Sequence, residues 1–154
     1  MNDAGQGGFT LLEMVCVLAI VAMLAAVLLP LVPHQTSKAR LQAYAQQAAS
    51  LLKSDRAVSM QSGLRVDTEV DASSRLIRSG AGTAALRLPD DVGFEALLPR
   101  SCNQRPVFST ISFFPDGLSC GGAIALSRAD LRLEIRINWL TGRVDIVPRS
   151  LVNG

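Results

Sequence analysis

The sequence has few of the residues from which metal centres and active sites are usually built. It contains one histidine, His34, and three cysteines, none of which forms a Cys-x-x-Cys pair. A single histidine cannot supply a histidine-based metal cluster, and no glycine-rich phosphate-binding loop is present. Asp90 and Asp91 are adjacent carboxylates, but a solvated loop accounts for them better than a calcium site does. We therefore predict a protein that is not an enzyme and that binds no cofactor or metal.

Charge is scarce as well. The net charge is +2, from 15 basic and 13 acidic residues, so no strong attraction to nucleic acid or acidic lipid is expected. No residue is charged from Met14 to Val32. These 19 residues would form a helix of about 28 Å, close to the hydrocarbon thickness of a bilayer. The run therefore predicts a membrane-spanning helix.

A buried helix and a signal peptide both fit this run less well. A buried helix of a water-soluble protein is rarely so long and apolar on every face. A cleaved secretory signal peptide begins with basic residues and ends at a small-x-small site. The first eight residues contain no lysine or arginine, and no Ala-x-Ala occurs between Met14 and Pro33. The small residues Gly7 and Gly8 precede the run instead.

The segment GGFTLLEMV, at 7–15, resembles the prepilin cleavage and N-methylation motif of type IV pilins and type II secretion pseudopilins. The resemblance implies that 1–8 is a leader peptide, that a prepilin peptidase cuts after Gly8, and that the new N-terminal residue Phe9 is methylated. It also implies that 9–33 is the transmembrane N-methylation helix and is kept after processing.

Glu13 lies near one end of the apolar run. A carboxylate in lipid costs up to about 3 kcal/mol unless it finds a partner. The resemblance implies that this partner is the free amine of Phe9 in a neighbouring subunit, which would set the axial register of a filament. An interfacial glutamate without a partner is the alternative. The resemblance also makes Pro30 a helix kink, since an interior proline removes a backbone hydrogen bond.

The orientation of the span depends on the resemblance alone. Lys38 and Arg40 follow the run, so a count of basic residues places its C-terminal end in the cytoplasm. The cleavage motif requires the opposite. The resemblance implies a single-pass protein of the bacterial inner membrane with a cytoplasmic N-terminus and a periplasmic globular domain.

A second helix is predicted over 34–62. Its apolar residues recur at helical spacings, as Leu41, Tyr44, Ala48, Leu51, Leu52 and Val58. This pattern predicts an amphipathic helix that packs on a sheet, and Gly63 is a suitable stop.

After Gly63 the apolar period changes from helical to two, so 63–154 is predicted to be mainly antiparallel β-structure. The candidate strands are LRVDTEV (64–70), RLIRS (75–79), ALRL (85–88), VFSTISFF (107–114), LRLEIRINW (131–139) and VDIV (144–147). The first is expected to have Leu64, Val66, Thr68 and Val70 on one face. The fifth is expected to point Leu131, Leu133, Ile135, Ile137 and Trp139 inward. The segment 71–106 is expected to be mostly loop.

The segments ISFFPDGLSCGGAIAL and LEIRINWLTGRV resemble the C-terminal domain of H-type minor pseudopilins and FimT-like minor pilins. The resemblance implies an α+β, pilin-like fold. In this fold a long N-terminal helix spans the membrane with its first half and packs on a C-terminal antiparallel β-sandwich or paired sheets. The residues Pro115, Asp116, Gly117 and Gly142 are expected to form turns.

Cys102 and Cys120 are the two cysteines outside the membrane run. Since the resemblance places them in an oxidising periplasm, we expect a disulfide between them. Two buried free thiols are the alternative. Cys16 lies within the span and is expected to pack as a small apolar residue.

The resemblance implies a minor pseudopilin of the type II secretion system, near the tip of a periplasmic pseudopilus that helps to export folded proteins. The implied partners are other major and minor pseudopilins, the prepilin peptidase, the inner-membrane assembly platform, and secreted cargo or the secretin. The alternative is a FimT- or FimU-like minor pilin of a type IV pilus that contacts DNA. The candidate DNA-binding residues are Arg132, Arg136, Arg143 and Arg149, but Glu134 interrupts them, so nucleic acid is not an expected partner.

Overall fold

The computed structural model describes residues 10–28 and 36–150, which belong to two compact units divided between 35 and 36. In the first unit, α1 comprises Leu11–Leu28. Thr10 caps its start, because the Glu13 N–H lies 3.3 Å from the Thr10 hydroxyl oxygen and 3.0 Å from its carbonyl oxygen. Within the described ranges, no helix is both long and apolar enough to cross a membrane. The predicted span over 9–33 includes residues outside these ranges and stays a prediction.

The second unit begins with α2, Lys38–Ser62. Ser37 caps its first turn by accepting a hydrogen bond from the Arg40 N–H. Gly63 ends the helix in the left-handed conformation, with φ of 69°. Glycine adopts this conformation without steric cost, which is why the helix stops here.

The buried side of α2 differs in part from the predicted apolar stripe. Its buried residues are Leu41, Ala45, Ala48, Ala49, Leu52, Asp55 and Ser59. Tyr44, Leu51 and Val58, which belong to the predicted stripe, are only half-buried. The alanines bring the helix backbone close to the sheets, and two polar residues complete the buried face because they bond to the sheet region.

The described residues after α2 form ten strands. They are β1 Val66–Asp71, β2 Leu76–Arg78, β3 Ala85–Arg87, β4 Gly93–Leu97, β5 Ser101–Cys102, β6 Arg105–Pro106, β7 Thr110–Phe113, β8 Gly122–Arg128, β9 Leu131–Ile137 and β10 Val144–Ser150. One sheet has the order β3-β2-β1-β7, a second has the order β10-β9-β8-β4, and β5 and β6 form a small hairpin.

All strand pairs within the two four-stranded sheets are antiparallel. One apolar core contains buried residues of α2 and of both sheets. Its largest fully buried member is Phe113 on β7. The predicted α+β fold, a helix packed on antiparallel sheets, is confirmed.

Two strand predictions are wrong at their ends. Trp139 is predicted to point inward, but it is 67% exposed because β9 ends at Ile137. The next residues form a turn in which Asn138 Oδ1 accepts bonds from the N–H groups of Leu140 and Thr141, at 2.9 and 3.0 Å. Leu64 is predicted on the buried face of β1, but it precedes the strand and is exposed.

The segment 71–106 contains more strand than the sequence predicts. The strands β2 to β6 all lie within it, and β4, β5 and β6 have no counterpart among the predicted strands. β4 pairs with β8 over five residue positions. It is an edge strand, because it stands last in the order of the second sheet. Its glycine and glutamate weaken the local strand signal, and the pairing with β8 supplies what local propensity does not.

Candidate assembly surfaces

The first candidate surface is α1 itself. Its described large apolar side chains are uncovered all round, from 51% exposed at Val17 to 84% at Leu11. Glu13 is the acidic residue of its first turn. Among the described residues, no basic side chain forms an ion pair with the Glu13 carboxylate. A helix that is apolar on every face needs a covering of lipid or of other helices.

Three residues assigned from the N-terminal motif fall outside the part of the chain that the structure describes. They are Gly8 at the predicted cleavage site, Phe9 at the predicted methylated N-terminus, and Pro30 at the predicted kink. Their roles stay predictions.

Two of the predicted turn residues, Gly117 and Gly142, meet beside the C-terminal part of α2. The Gly117 N–H donates to the Phe114 carbonyl at 2.9 Å, and the Gly117 carbonyl accepts a bond from Arg56 Nε at 3.2 Å. Gly142 has a φ of 62°, and a Cβ atom placed there would lie 2.2 Å from the Gly117 carbonyl oxygen. The two turns therefore pack backbone to backbone, and only glycine fits at position 142.

Cys102 and Cys120 form a disulfide with their Cα atoms 5.6 Å apart. The bond joins the end of β5 to the residue two positions before β8. It closes a sequence separation of 18 residues, which corresponds to a contribution of about 3 kcal/mol in the chain-entropy model. Cys16 is a free, exposed cysteine of α1.

We expect alkylation of the denatured but unreduced protein to modify one cysteine, and alkylation after reduction to modify three. The mass of the alkylated protein measures the difference. Cysteine-to-serine replacement at position 16 is the matched control, since it should lower both counts by one. Three modified thiols without reductant would contradict the disulfide.

A Gly-x-Ser-x-Gly pattern occurs at 117–121, and the prediction of a non-enzyme overlooked this signal. In an α/β-hydrolase the serine of this pattern stands exposed between a strand and a helix. Here the segment joins two strands, and Ser119 is buried. Its hydroxyl donates to the Asn138 carbonyl and accepts from the Gly121 N–H, both at 3.0 Å. These bonds give Ser119 a structural role in the turn.

Asp91 is held by the start of the second unit. Its carboxylate accepts bonds from the Thr36 N–H at 2.8 Å and the Thr36 hydroxyl at 2.9 Å, and it pairs with Arg128 at 2.5 Å. The bond from the Thr36 N–H lowers the pKa of the Asp91 carboxyl below its usual value. The carboxylate therefore anchors Thr36, the first residue of the second unit.

The arginines considered for DNA binding are paired with carboxylates. Glu134 lies 2.8 Å from Arg136 and 3.1 Å from Arg149. The remaining two pairs are Arg132 with Glu95 at 2.8 Å and Arg143 with Asp145 at 3.4 Å. The bond from Arg136 lowers the pKa of the Glu134 carboxyl. Such pairing leaves little free positive charge for a phosphate backbone.

Comparisons with known proteins found one match to the N-terminal motif and another to most of the chain. Residues 3–29 match the family model of the prokaryotic N-terminal methylation motif. The type II secretion system protein H of Xanthomonas campestris pv. campestris is 27% identical over 141 residues, which cover 92% of this chain and 83% of that protein.

Two solved structures share the fold. The minor pseudopilin EpsH from the type 2 secretion system of Vibrio cholerae superimposes with a TM-score of 0.50 at 11% identity, covering 73% of this chain and 97% of that one. The type IV minor pilin FimU of Pseudomonas aeruginosa superimposes with a TM-score of 0.54 at 14% identity, covering 77% of this chain and 97% of that one. The chain is thus similar to pilin-like proteins in its N-terminal motif, to a type II secretion system protein H over most of its sequence, and to two minor pilin-like proteins in its fold.

Proposed function

We propose that the chain is a minor pseudopilin of a type II secretion system and that it is incorporated near the tip of the periplasmic pseudopilus. The observation that carries the proposal is the similarity to a type II secretion system protein H, which extends over 92% of the chain. It therefore includes the β-domain as well as the N-terminal motif. The protein acts as a structural subunit of the export machine and not as an enzyme.

The exposed apolar surface of α1 supports a mode of assembly in which this helix moves from the membrane into the filament. Before assembly the helix lies in the inner membrane, and in the filament it packs among the helices of other pseudopilins. The prepilin peptidase cleaves after Gly8, and the methylated amine of Phe9 meets the Glu13 carboxylate of a neighbour. The assembly platform then moves the subunit from lipid to filament.

The β-domain lies in the periplasm, with the N-terminus of the precursor in the cytoplasm. The disulfide between Cys102 and Cys120 supports this location, because disulfides persist in oxidising compartments. In this position the domain can contact other minor subunits, secreted cargo or the secretin.

A minor pilin of a type IV pilus is the second candidate function. The similarity of fold to FimU favours it, at a TM-score comparable to that of EpsH. DNA binding by such a pilin is not favoured, because all four candidate arginines pair with carboxylates.

Deletion of the gene in its host separates the two functions. We expect the loss of type II cargo from the culture medium, with cargo retained in the periplasm, while surface pili and twitching motility stay normal. Immunoblots of medium and periplasm measure the first effect, and plasmid-borne wild-type protein should restore secretion. Loss of pili with normal secretion would instead establish the minor pilin.

A further inference from the structure

A cavity of about 270 Å³ lies between α2 and the turn that joins β9 to β10. We call it the Arg56 cavity. Its lining consists of Lys53, Arg56, Gly142, Arg143, Val144 and Asp145. The cavity is slightly smaller than the sites of about 300–1,000 Å³ that hold drug-sized ligands, so it admits a small ion or the terminal group of a larger molecule.

The charges of this lining are unbalanced. Three of the side chains are cationic and Asp145 is a carboxylate, so the described lining has a net charge of +2. Arg143 and Asp145 pair at 3.4 Å, but their side chains are 77% and 56% exposed. Such an exposed pair is weak, because water screens it. The excess positive charge therefore resides on Lys53 and Arg56.

Lys53 and Arg56 lie three positions apart on α2, so they project from the same side of the helix. Within the ranges that the structure describes, no carboxylate forms an ion pair with either side chain. Neither residue is among the four arginines considered above for DNA binding, all of which are paired. These two charges are therefore available to an anion.

Arg56 is positioned by the fold itself. Its side chain is half-buried, and its Nε donates to the Gly117 carbonyl at 3.2 Å. A Cβ atom at Gly142 would lie 2.7 Å from the same Nε, so the guanidinium group rests against the backbone of the turn. Its other N–H groups have no acceptor among the described residues. They can bind an anion with little further loss of conformational entropy.

The charge and the donors favour a phosphate group with two negative charges. Arginine and lysine N–H groups are common partners of phosphate oxygens. A phosphate monoester carries a charge of about −1.5 to −2 at pH 7, which balances the net charge of the lining. Each phosphodiester of a nucleic acid carries one negative charge, so it would leave part of the positive charge unbalanced.

We infer that the Arg56 cavity binds inorganic phosphate or the terminal phosphate of a monoester. The phosphate oxygens accept hydrogen bonds from Lys53 Nζ and from the guanidinium groups of Arg56 and Arg143. The bound group joins α2 to the turn before β10 and stabilises the domain, since a ligand that binds only the folded state raises its stability. The inference does not depend on the proposed function.

Protection of Lys53 from acetylation tests the inference on the full-length protein in detergent. Lys38 and Lys53 are the only lysines of the chain, and tryptic cleavage after Arg40 separates them. N-hydroxysuccinimidyl acetate modifies the protein in a zwitterionic buffer at constant ionic strength, and peptide mass spectrometry measures both rates. We expect saturating inorganic phosphate to slow the acetylation of Lys53 by about fivefold or more, because the bound oxyanion holds the amine. Lys38, the internal control, should react at an unchanged rate.

Two further probes identify the form of the phosphate. Equal protection of Lys53 by glycerol 3-phosphate would identify a monoester as a ligand, and protection by inorganic phosphate alone would identify the free ion. Either result supports the inference. Dimethyl phosphate, the probe for a diester, should protect Lys53 several-fold less, since it carries a single negative charge.

Three substitutions assign the protection to the cavity, with affinity measured as the phosphate concentration that gives half of the protection. Arg143→Gln should weaken the affinity by about fivefold, since it removes one charge. Arg149→Gln removes the same charge from an exposed arginine outside the lining, so this matched control should leave the affinity unchanged. Asp145→Asn should strengthen the affinity by about fivefold, a gain that misfolded protein would not show.

Equal slowing of acetylation at both lysines would indicate a general ionic effect and would overturn the inference. The absence of protection by inorganic phosphate would do the same, as would protection that Arg143→Gln and Asp145→Asn leave unchanged. Equal protection by dimethyl phosphate would show that the cavity does not select a dianion, and the inference would fail.

Discussion

Replacing Glu13 with leucine is expected to reduce incorporation of the protein into the pseudopilus by about a hundredfold. Glu13 is the acidic residue in the first turn of an otherwise apolar helix, and no described residue offers it a cation. In the proposed filament its partner is the amine of a neighbouring Phe9. Removing the carboxylate leaves that amine charged among apolar helices, which costs about 3 kcal/mol or more, equivalent to about a hundredfold.

The effect should be confined to assembly. Glu13→Leu makes α1 more apolar, so we expect the protein to remain in the membrane fraction in normal amounts and to be cleaved normally. Sheared pseudopili from a strain that overproduces the major subunit measure incorporation by immunoblot, and cargo in the medium measures export. Glu13→Gln, which keeps shape without charge, should fail nearly as severely.

Leu12→Ala is the matched control, because it alters the neighbouring residue and keeps the carboxylate. It should be incorporated to within a few-fold of wild type. Normal incorporation of Glu13→Leu would show that the acid has no partner in the filament, and it would leave the interfacial glutamate as the correct interpretation.

The features that the sequence predicts well are those in which local pattern and tertiary structure agree. The alternation of β9 places Leu133, Ile135 and Ile137 in the core, because one face of the strand is buried and the other is wet. Gly63 ends α2 because a left-handed residue is needed there whatever the tertiary contacts.

The features that it misses depend on contacts between distant residues. Leu97 at the end of β4 and Trp139 after β9 line the same surface groove only because β4 pairs with β8, and β4 has little strand signal of its own. Trp139 fits the period of β9, but the strand ends before it. The Asn138 side chain accepts hydrogen bonds from the N–H groups of Leu140 and Thr141 and so forms a turn there. The period of apolar residues does not reveal a side chain that competes with a neighbouring strand for backbone hydrogen bonds.

Asp55 is the clearest case. Sequence periodicity assigns no role to this charged residue of α2, yet the side chain is 1% exposed. Its carboxylate accepts bonds from the Thr68 hydroxyl at 2.5 Å, the Ser79 hydroxyl, and the Gly80 N–H at 3.1 Å. These three donors belong to β1 and to the segment after β2, so one carboxylate joins the helix to the first sheet. The donors to this carboxylate come from distant parts of the sequence, so only the folded structure identifies them.

Replacing Asp55 with alanine is expected to lower the free energy of unfolding of the β-domain by about 3 kcal/mol. The substitution leaves two hydroxyl groups and one N–H group without their acceptor at a buried site, and each such loss costs about 1–3 kcal/mol before relaxation. Thermal unfolding of the full-length protein in detergent, followed by the fluorescence of Trp139, the only tryptophan in the chain, should show a midpoint lowered by about 10 °C.

Asp55→Asn keeps one acceptor oxygen and should lose less free energy of unfolding. Ser54→Ala, at the adjacent exposed position of α2, should unfold like the wild type. An unchanged midpoint for Asp55→Ala would mean that hydration or rearrangement of the donors replaces the hydrogen bonds to the carboxylate. The apolar contacts of α2 alone would then hold the helix on the sheet.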